Sequence, residues 1–293
     1  MSDPLPAATG ELRDGDLVLR PTRSTGGFDG FAVLVDDERV GSVALREESA
    51  GVRSARWNLG TGPDAMTWAV RTLRLVFDHT FGELGATRVE ARVPVDRTAD
   101  IRAASIAGMR REGVLRGGSD ADRVLVARLA DDPPLDSRDA FIAILNAGLP
   151  TKRVISQGLV RDPAGRVLMC ELTYKTEWDL PGGVIEVGES PAVGLVRELS
   201  EELGVTVEVR GLLTVTWLPA WRGWDDACMF LFDLGVAEPE IVDTFDLQAN
   251  EIAAVHWCTP DDLSARATAA SQEMLRHVRE GTVTAYRDAP LAP

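Results

Sequence analysis

Near its middle the chain reads Asp131-Asp132-Pro133-Pro134-Leu135-Asp136. Two successive prolines have no amide N–H to give to a helix or a ladder, and the flanking carboxylates favour water, so no regular element can run through the segment. The sequence on either side is therefore expected to fold as separate domains, 1–130 and 151–293, joined over 131–150 by a connector and a short helix from about Asp139 to Ala147 that opens the second part. In a chain of 293 residues each part has ordinary domain length and can bury a core of its own.

Acidic residues outnumber basic ones 46 to 31, a net charge of −15 that opposes non-specific binding to nucleic acid or an anionic membrane. A small anionic substrate stays compatible, because a metal ion can invert the local field. Cys170, Cys228 and Cys258 form no CxxC pair, so they indicate buried free thiols in a reducing compartment and not a zinc site or a disulfide framework. Met1 to Gly10 has neither a basic nor an apolar leader region, and no apolar run reaches the ~18 residues that span a bilayer. The expectation is a soluble, cytoplasmic protein without nucleic-acid or membrane partners.

In the first part, β-like runs over 17–20, 31–35, 40–45 and 55–59 are separated by glycine or charged turns. Met66, Val70, Leu73, Phe77 and Phe81 recur at three and four residues and predict a helix over 66–84. A strand over 88–93, a helix over 97–109 and a strand over 124–129 follow. The second part opens with strands over 153–160 and 166–171 around the turn Asp162-Pro163-Ala164-Gly165. After a glycine-rich loop and a helix come β-like runs over 212–218 and 227–234, a strand near 253–258 and a C-terminal helix over about 261–279. This order predicts mixed α/β (α+β) layering throughout.

The stretch from Pro181 to Val205 carries the chemistry. Ser190-Pro191 reads as an N-cap followed by a first-turn proline, and Gly204 stops the helix near Leu203. Glu198, Glu201 and Glu202 stand at i, i+3 and i+4 on one face, with Val193, Val196, Leu199 and Leu203 expected on the opposite, core-facing side. Three like charges repel one another, and the C-terminal end of a helix disfavours anions. Either water solvates an acidic face or a hard divalent cation such as Mg²⁺ offsets it.

The segment resembles the Nudix signature G-x5-E-x7-R-E-U-x-E-E-x-G-U, with U aliphatic. Gly183, Glu189, Arg197, Glu198, Leu199, Glu201, Glu202, Gly204 and Val205 occupy all nine specified positions, preceded by Trp178-Asp179-Leu180-Pro181-Gly182 as a lead-in. The resemblance runs from about Thr151 to Glu280 and implies an α/β/α sandwich that hydrolyses a diphosphate linkage with Mg (or Mn). It implies Glu198, Glu202 and Glu201 as metal ligands with the Gly182 carbonyl, and Arg197 orienting Glu189 or Glu198. The general base stays open among Glu198, Glu202 and a later acid, Asp246 or Glu251. Tyr174, Trp178, Trp217, Trp221 and Trp224 either fill the core or face a ligand; Trp178, Trp221, Arg222 and Trp224 are the candidates for substrate contact.

The first part is similar to GNAT-type acyltransferases, through Leu84-Gly85-Ala86-Thr87-Arg88-Val89-Glu90-Ala91 and the later Gly108-Met109-Arg110-Arg111-Glu112-Gly113-Val114-Leu115-Arg116. That resemblance, from about Leu17 to Leu129, implies an acyl-CoA loop at Leu59–Ala65 with Gly60 and Gly62 as cofactor-binding residues. Three departures stand against acetyl transfer: seven residues between Arg20 and Phe28 where two helices usually stand, Asp64 where phosphate would approach, and Arg97 where the family commonly has Asn. They favour a binding or assembly module. The leading expectation for the whole chain is Mg-dependent hydrolysis of a small nucleoside diphosphate derivative. A bifunctional protein with an active acetyl-CoA-dependent acetyltransferase and a non-catalytic nucleotide-sensing module remain as alternatives. Oligomeric state is open, a homodimer included.

Overall fold

The computed structural model describes residues 10–23, 27–60, 62–220 and 223–289. The chain divides into two compact units between Pro150 and Thr151. The first unit begins with β1 (Leu12–Asp14), β2 (Leu17–Pro21), β3 (Asp29–Val35), β4 (Glu38–Ser49) and β5 (Val52–Asn58). It continues with α1 (Ala65–Gly82), β6 (Arg88–Pro94), α2 (Thr98–Ile106), β7 (Arg110–Leu115), β8 (Arg123–Leu129) and α3 (Arg138–Gly148). Its strands form one sheet in the order β1-β2-β3-β4-β5-β6-β8-β7. The β3–β4 hairpin closes on Asp36 and Asp37, whose φ angles of 49° and 66° supply the paired left-handed conformation of a tight two-residue turn. The amphipathic α1 buries Ala69, Val70, Leu73, Val76 and Phe77 in a core shared with Leu17, Phe31, Val43, Ala55 and Val89 of the sheet. Ser137 caps α3 by accepting from the Ala140 N–H, and α3 packs on β7, so the short helix after the proline connector goes with the first unit.

The second unit contains β9 (Arg153–Arg161), β10 (Val167–Leu172), β11 (Gly182–Val184), α4 (Pro191–Leu203), β12 (Gly211–Leu218) and β13 (Ala227–Val236). After a 3₁₀ turn at Pro239–Thr244 come β14 (Ile252–Cys258), α5 (Pro260–Arg266), α6 (Ala269–Glu280) and β15 (Tyr286–Asp288). The sheet runs β14-β10-β9-β13-β12-β15, with β11 paired to β9. On one face Leu195, Leu199 and Leu203 of α4 pack with Cys170 and Phe232; on the other Leu263, Met274 and Leu275 of α5 and α6 pack with Leu159 and Leu231. Helices thus cover both faces, the sandwich expected from the resemblance.

Several elements differ from the sequence expectation, among them the unexpected short strands β1 and β11, the 3₁₀ turn and the placement of α3 in the first unit and not at the start of the second. The single C-terminal helix over 261–279 is two helices, because Ala267 is extended and the Thr268 side chain accepts from the Ser271 N–H, starting a new helix. The three-residue β15, too short to show alternation, was not expected; it lies parallel to β12. Among the described residues no helix is long and apolar enough to cross a membrane. All three cysteines are free, with Cys170 and Cys258 buried.

Candidate active site

The site is built on α4 and the loop leading into it. Ser190 Oγ accepts from the Val193 N–H, Pro191 occupies the first turn, and Gly204 ends the helix with a left-handed φ of 70°. The core-facing stripe is Leu195, Leu199 and Leu203, whereas Val193, expected to be buried, is 59% exposed. At about 100° per residue, positions 198 and 202 lie only about 60° from positions 195 and 199. The acidic face therefore borders the core instead of opposing it, which is why Glu202 is just 7% exposed.

Burial pushes the Glu202 carboxyl up to about 7, and the charges of Glu198, Glu251 and Asp179 push the same way, against one hydrogen bond from the Gly182 N–H. Glu198 is raised as well, by burial first and by Glu201 and Glu251, while Arg197 opposes the rise. Of the two later acids considered, Glu251 therefore bears on both the buried Glu202 and the half-buried Glu198. Asp246 sits at the end of α4, with its N–H on the Leu203 carbonyl at 3.0 Å. Asp179 is an addition to the sequence-derived set; it anchors the lead-in by exchanging backbone hydrogen bonds with Cys170 and pairing with Lys175 at 2.5 Å. Its place just ahead of Pro181-Gly182 is the signal that could have found it.

Arg197 selects Glu189 for bidentate pairing, Nε to Oε1 at 2.7 Å and Nη2 to Oε2 at 3.0 Å. That pair and the Glu186 N–H hold the Glu189 carboxyl down to about 2. The remaining Arg197 nitrogen, Nη1, reaches Glu201 at 2.9 Å and Glu198 at 3.1 Å. Glu201 is thereby held at the surface, with its side chain 57% exposed. The guanidinium thus ties the loop to the helix at three carboxylates.

Glycines make the close approaches. A Cβ on Gly183 would lie 2.6 Å from the Glu198 carboxyl carbon, and one on Gly194 would lie 2.7 Å from Glu189 Oε2. Gly194 has no place in the signature, and only the packing reveals its role. Among the described residues no three His, Cys, Asp or Glu side chains are gathered as a ready-made chelate. The donor chemistry nevertheless fits a hard divalent cation: Glu202 is a buried and Glu198 a half-buried carboxylate, with a third negative charge at Glu251 bearing on both.

The aromatic candidates separate. Trp178 is stacked on His256, with centroids 4.0 Å apart and planes within 6°, and the Arg266 guanidinium lies over its ring at 5.2 Å. Trp224 is 59% exposed beneath the Arg153 guanidinium, which stands 4.7 Å from its centroid. Trp221 and Arg222 fall outside the described residues. In the first unit, Gly60 has φ of 69° and the Gly62 carbonyl accepts from the Ala65 N–H at 3.1 Å, so the loop enters α1 with Asp64 at its N-cap. Arg97 is paired with Asp100 at the start of α2.

The NUDIX domain profile matches residues 152–278. A MutT-like protein of Streptomyces ambofaciens is 34% identical over 117 residues, which cover 40% of this chain and 70% of that protein. Among solved structures, a MutT protein from Methanosarcina mazei Go1 aligns over 46% of this chain and 99% of its own, at 22% identity and a TM-score of 0.39. A GNAT-family acetyltransferase from Bacillus anthracis aligns over 42% of this chain and 99% of its own, at 15% identity and a TM-score of 0.37. With the domain match and the Streptomyces relative on one segment, and the acidic helix inside it, the chain belongs to the Nudix family, hydrolases of phosphorus-containing acid anhydrides.

Proposed function

We propose that the second unit hydrolyses the diphosphate linkage of a nucleoside diphosphate derivative with Mg²⁺ (or Mn²⁺) as cofactor. The observation that carries this reading is the burial of Glu202 beside Glu198, with the charge of Glu251 bearing on both. Glu198 and Glu202 would hold the ion, with Glu201 and the Gly182 carbonyl as further oxygen donors. When bound, such an ion neutralises phosphate oxygens and lowers the pKa of an attacking water. The Gly182 N–H orients the Glu202 carboxylate, and the Arg197–Glu189 pair keeps the loop and α4 in register. Glu251 comes from a different segment of chain and is assigned as the general base that takes the proton from the attacking water. Trp224, with Trp178, Trp221 and Arg222, would contact the nucleoside, Trp224 by offering an exposed ring for stacking.

A phosphate-release screen with Mg²⁺ and a coupled phosphatase tests the proposal. The panel spans nucleoside triphosphates, ADP-ribose, dinucleoside polyphosphates, NADH and nucleotide sugars, with Glu202→Gln in parallel. Turnover of one class that vanishes in the variant is expected. Silence across the panel from folded, metal-bound protein would overturn hydrolysis in favour of nucleotide sensing.

A further inference from the structure

α3 turns its smaller side chains inward and its larger ones outward. At about 100° per residue, Ala140, Ala143 and Ala147 form one stripe, and Phe141, Ile142, Leu145 and Leu149 lie on the opposite side. The alanine stripe is the buried one: Ala140 is 3% exposed, Ala143 and Ala147 are half-buried, and the helix packs on β7. The opposite stripe is open, with Phe141 62%, Ile142 41%, Leu145 42% and Leu149 57% exposed. β7, the last strand of its sheet, exposes Val114 and Leu115 as well. A helix that is apolar on every side is normally covered on every side, and here the sheet covers only the side with the small residues.

The charges of α3 decide what fits the open side. Arg138 stands at its first position, the positive end of the helix dipole, without a carboxylate partner among the described residues. The last turn carries no basic residue, so the negative end is unopposed. From Ala140 to Thr151 the chain runs without a charge, although charged residues make up 26% of the whole. A second α3, running antiparallel about a two-fold axis, removes both mismatches at the ends. With the axis between residues 143 and 144, Ile142 meets the partner's Leu145, and Arg138 falls beside the partner's Leu149 and the last carbonyls of that helix. The uncharged centre meets its own copy with no like charges opposed, as a self-complementary two-fold interface requires. The net charge of −15 works against the other apolar occupant, an anionic membrane.

We propose that α3 is the dimerisation element of this protein, two copies pairing it antiparallel through Phe141, Ile142, Leu145 and Leu149. The four outward side chains offer roughly 400 Å² of apolar surface, at about 200 Å² for a fully exposed large side chain. That is half of the ~800 Å² per partner of a standard specific interface, and the polar rim and the exposed end of β7 lie next to it. The pairing is independent of the acidic helix and of the reaction proposed for it.

The test is sedimentation velocity of the full chain over the micromolar range, where a monomer–dimer equilibrium is expected. Ile142→Lys and Leu145→Glu each place a charge at the centre of the face, twice per dimer, and each should weaken association about a hundredfold or more. Mixed together, the two variants should associate again, because in this register the lysine of one copy meets the glutamate of the other. Both changes lie on the open stripe and leave the alanines in place, so far-UV circular dichroism should match the parent. Arg138→Glu keeps every apolar contact and should weaken association about tenfold through the helix ends alone. A monomer throughout the range would overturn the proposal, whatever then covers the helix. So would a dimer that either central variant leaves intact, or a mixture of the two that stays monomeric. Should a central charge unfold the chain, Arg138→Glu carries the test, and parental affinity in that variant would overturn the arrangement.

Discussion

Gly182 and Gly183 are neighbours whose replacement by alanine should fail in opposite ways. At Gly183 the backbone has no left-handed φ, so an alanine carries no conformational penalty there. Its Cβ would stand 2.6 Å from the Glu198 carboxyl carbon and Oε2, and restoring ordinary contact requires the carboxylate to retreat by about 0.8 Å. A carboxylate at the end of a flexible side chain moves at little energetic cost, so stability should stay within about 1 kcal/mol of the parent. A displacement near 1 Å at the reacting centre costs about a hundredfold in rate. Gly182 has φ of 130°, and a Cβ there would meet the Ser156 carbonyl at 2.2 Å and Gln157 Cα at 3.0 Å, which are backbone atoms of β9. Neither can yield without breaking the β9–β11 pairing, so Gly182→Ala should lose about 3 kcal/mol or more. Urea denaturation of both variants, with Mn²⁺ affinity and phosphate release measured on the folded fraction, separates the two outcomes. Wild-type turnover in Gly183→Ala, or equal destabilisation of both variants, would refute the geometry.

Because the Glu202 carboxyl is raised to about 7 from 4.5, the folded protein keeps a proton that the unfolded chain has already released. In EDTA, stability should therefore fall as pH rises through that window, by on the order of 3 kcal/mol, and Glu202→Gln should flatten the profile; a flat parent curve would count against burial of this acid. Leu199→Ala, at a site 1% exposed beneath the acidic face, should cost about 2–5 kcal/mol in chemical denaturation. Burial raises the Cys258 thiol to about 11 and raises Cys170 as well. Both should resist alkylation at neutral pH until the protein is unfolded, as mass spectrometry of trapped thiols would read directly.

Much of this protein was legible from short-range signals. Ser190-Pro191 and Gly204 bound α4 because capping and left-handed termination depend on a few adjacent residues. The role of Arg197 came only with the family resemblance, which left its partner open between Glu189 and Glu198. The choice among partners was not legible. Spacing put Glu198, Glu201 and Glu202 on one face, but only packing on Cys170, Phe232 and Ile252 decided that Glu202 is buried while Arg197 draws Glu201 to the surface. Glu251 and Asp246 looked alike along the chain; the fold brings the first to bear on Glu198 and Glu202 and leaves the second at the end of α4. Both sides of α3 are apolar along the chain; the fold buries the alanines and turns Phe141 and Leu145 outward. Helix limits and turns are set by interactions over three or four residues, which a sequence displays. Burial and the meeting of charges are set by contacts between distant segments, which only the folded chain supplies.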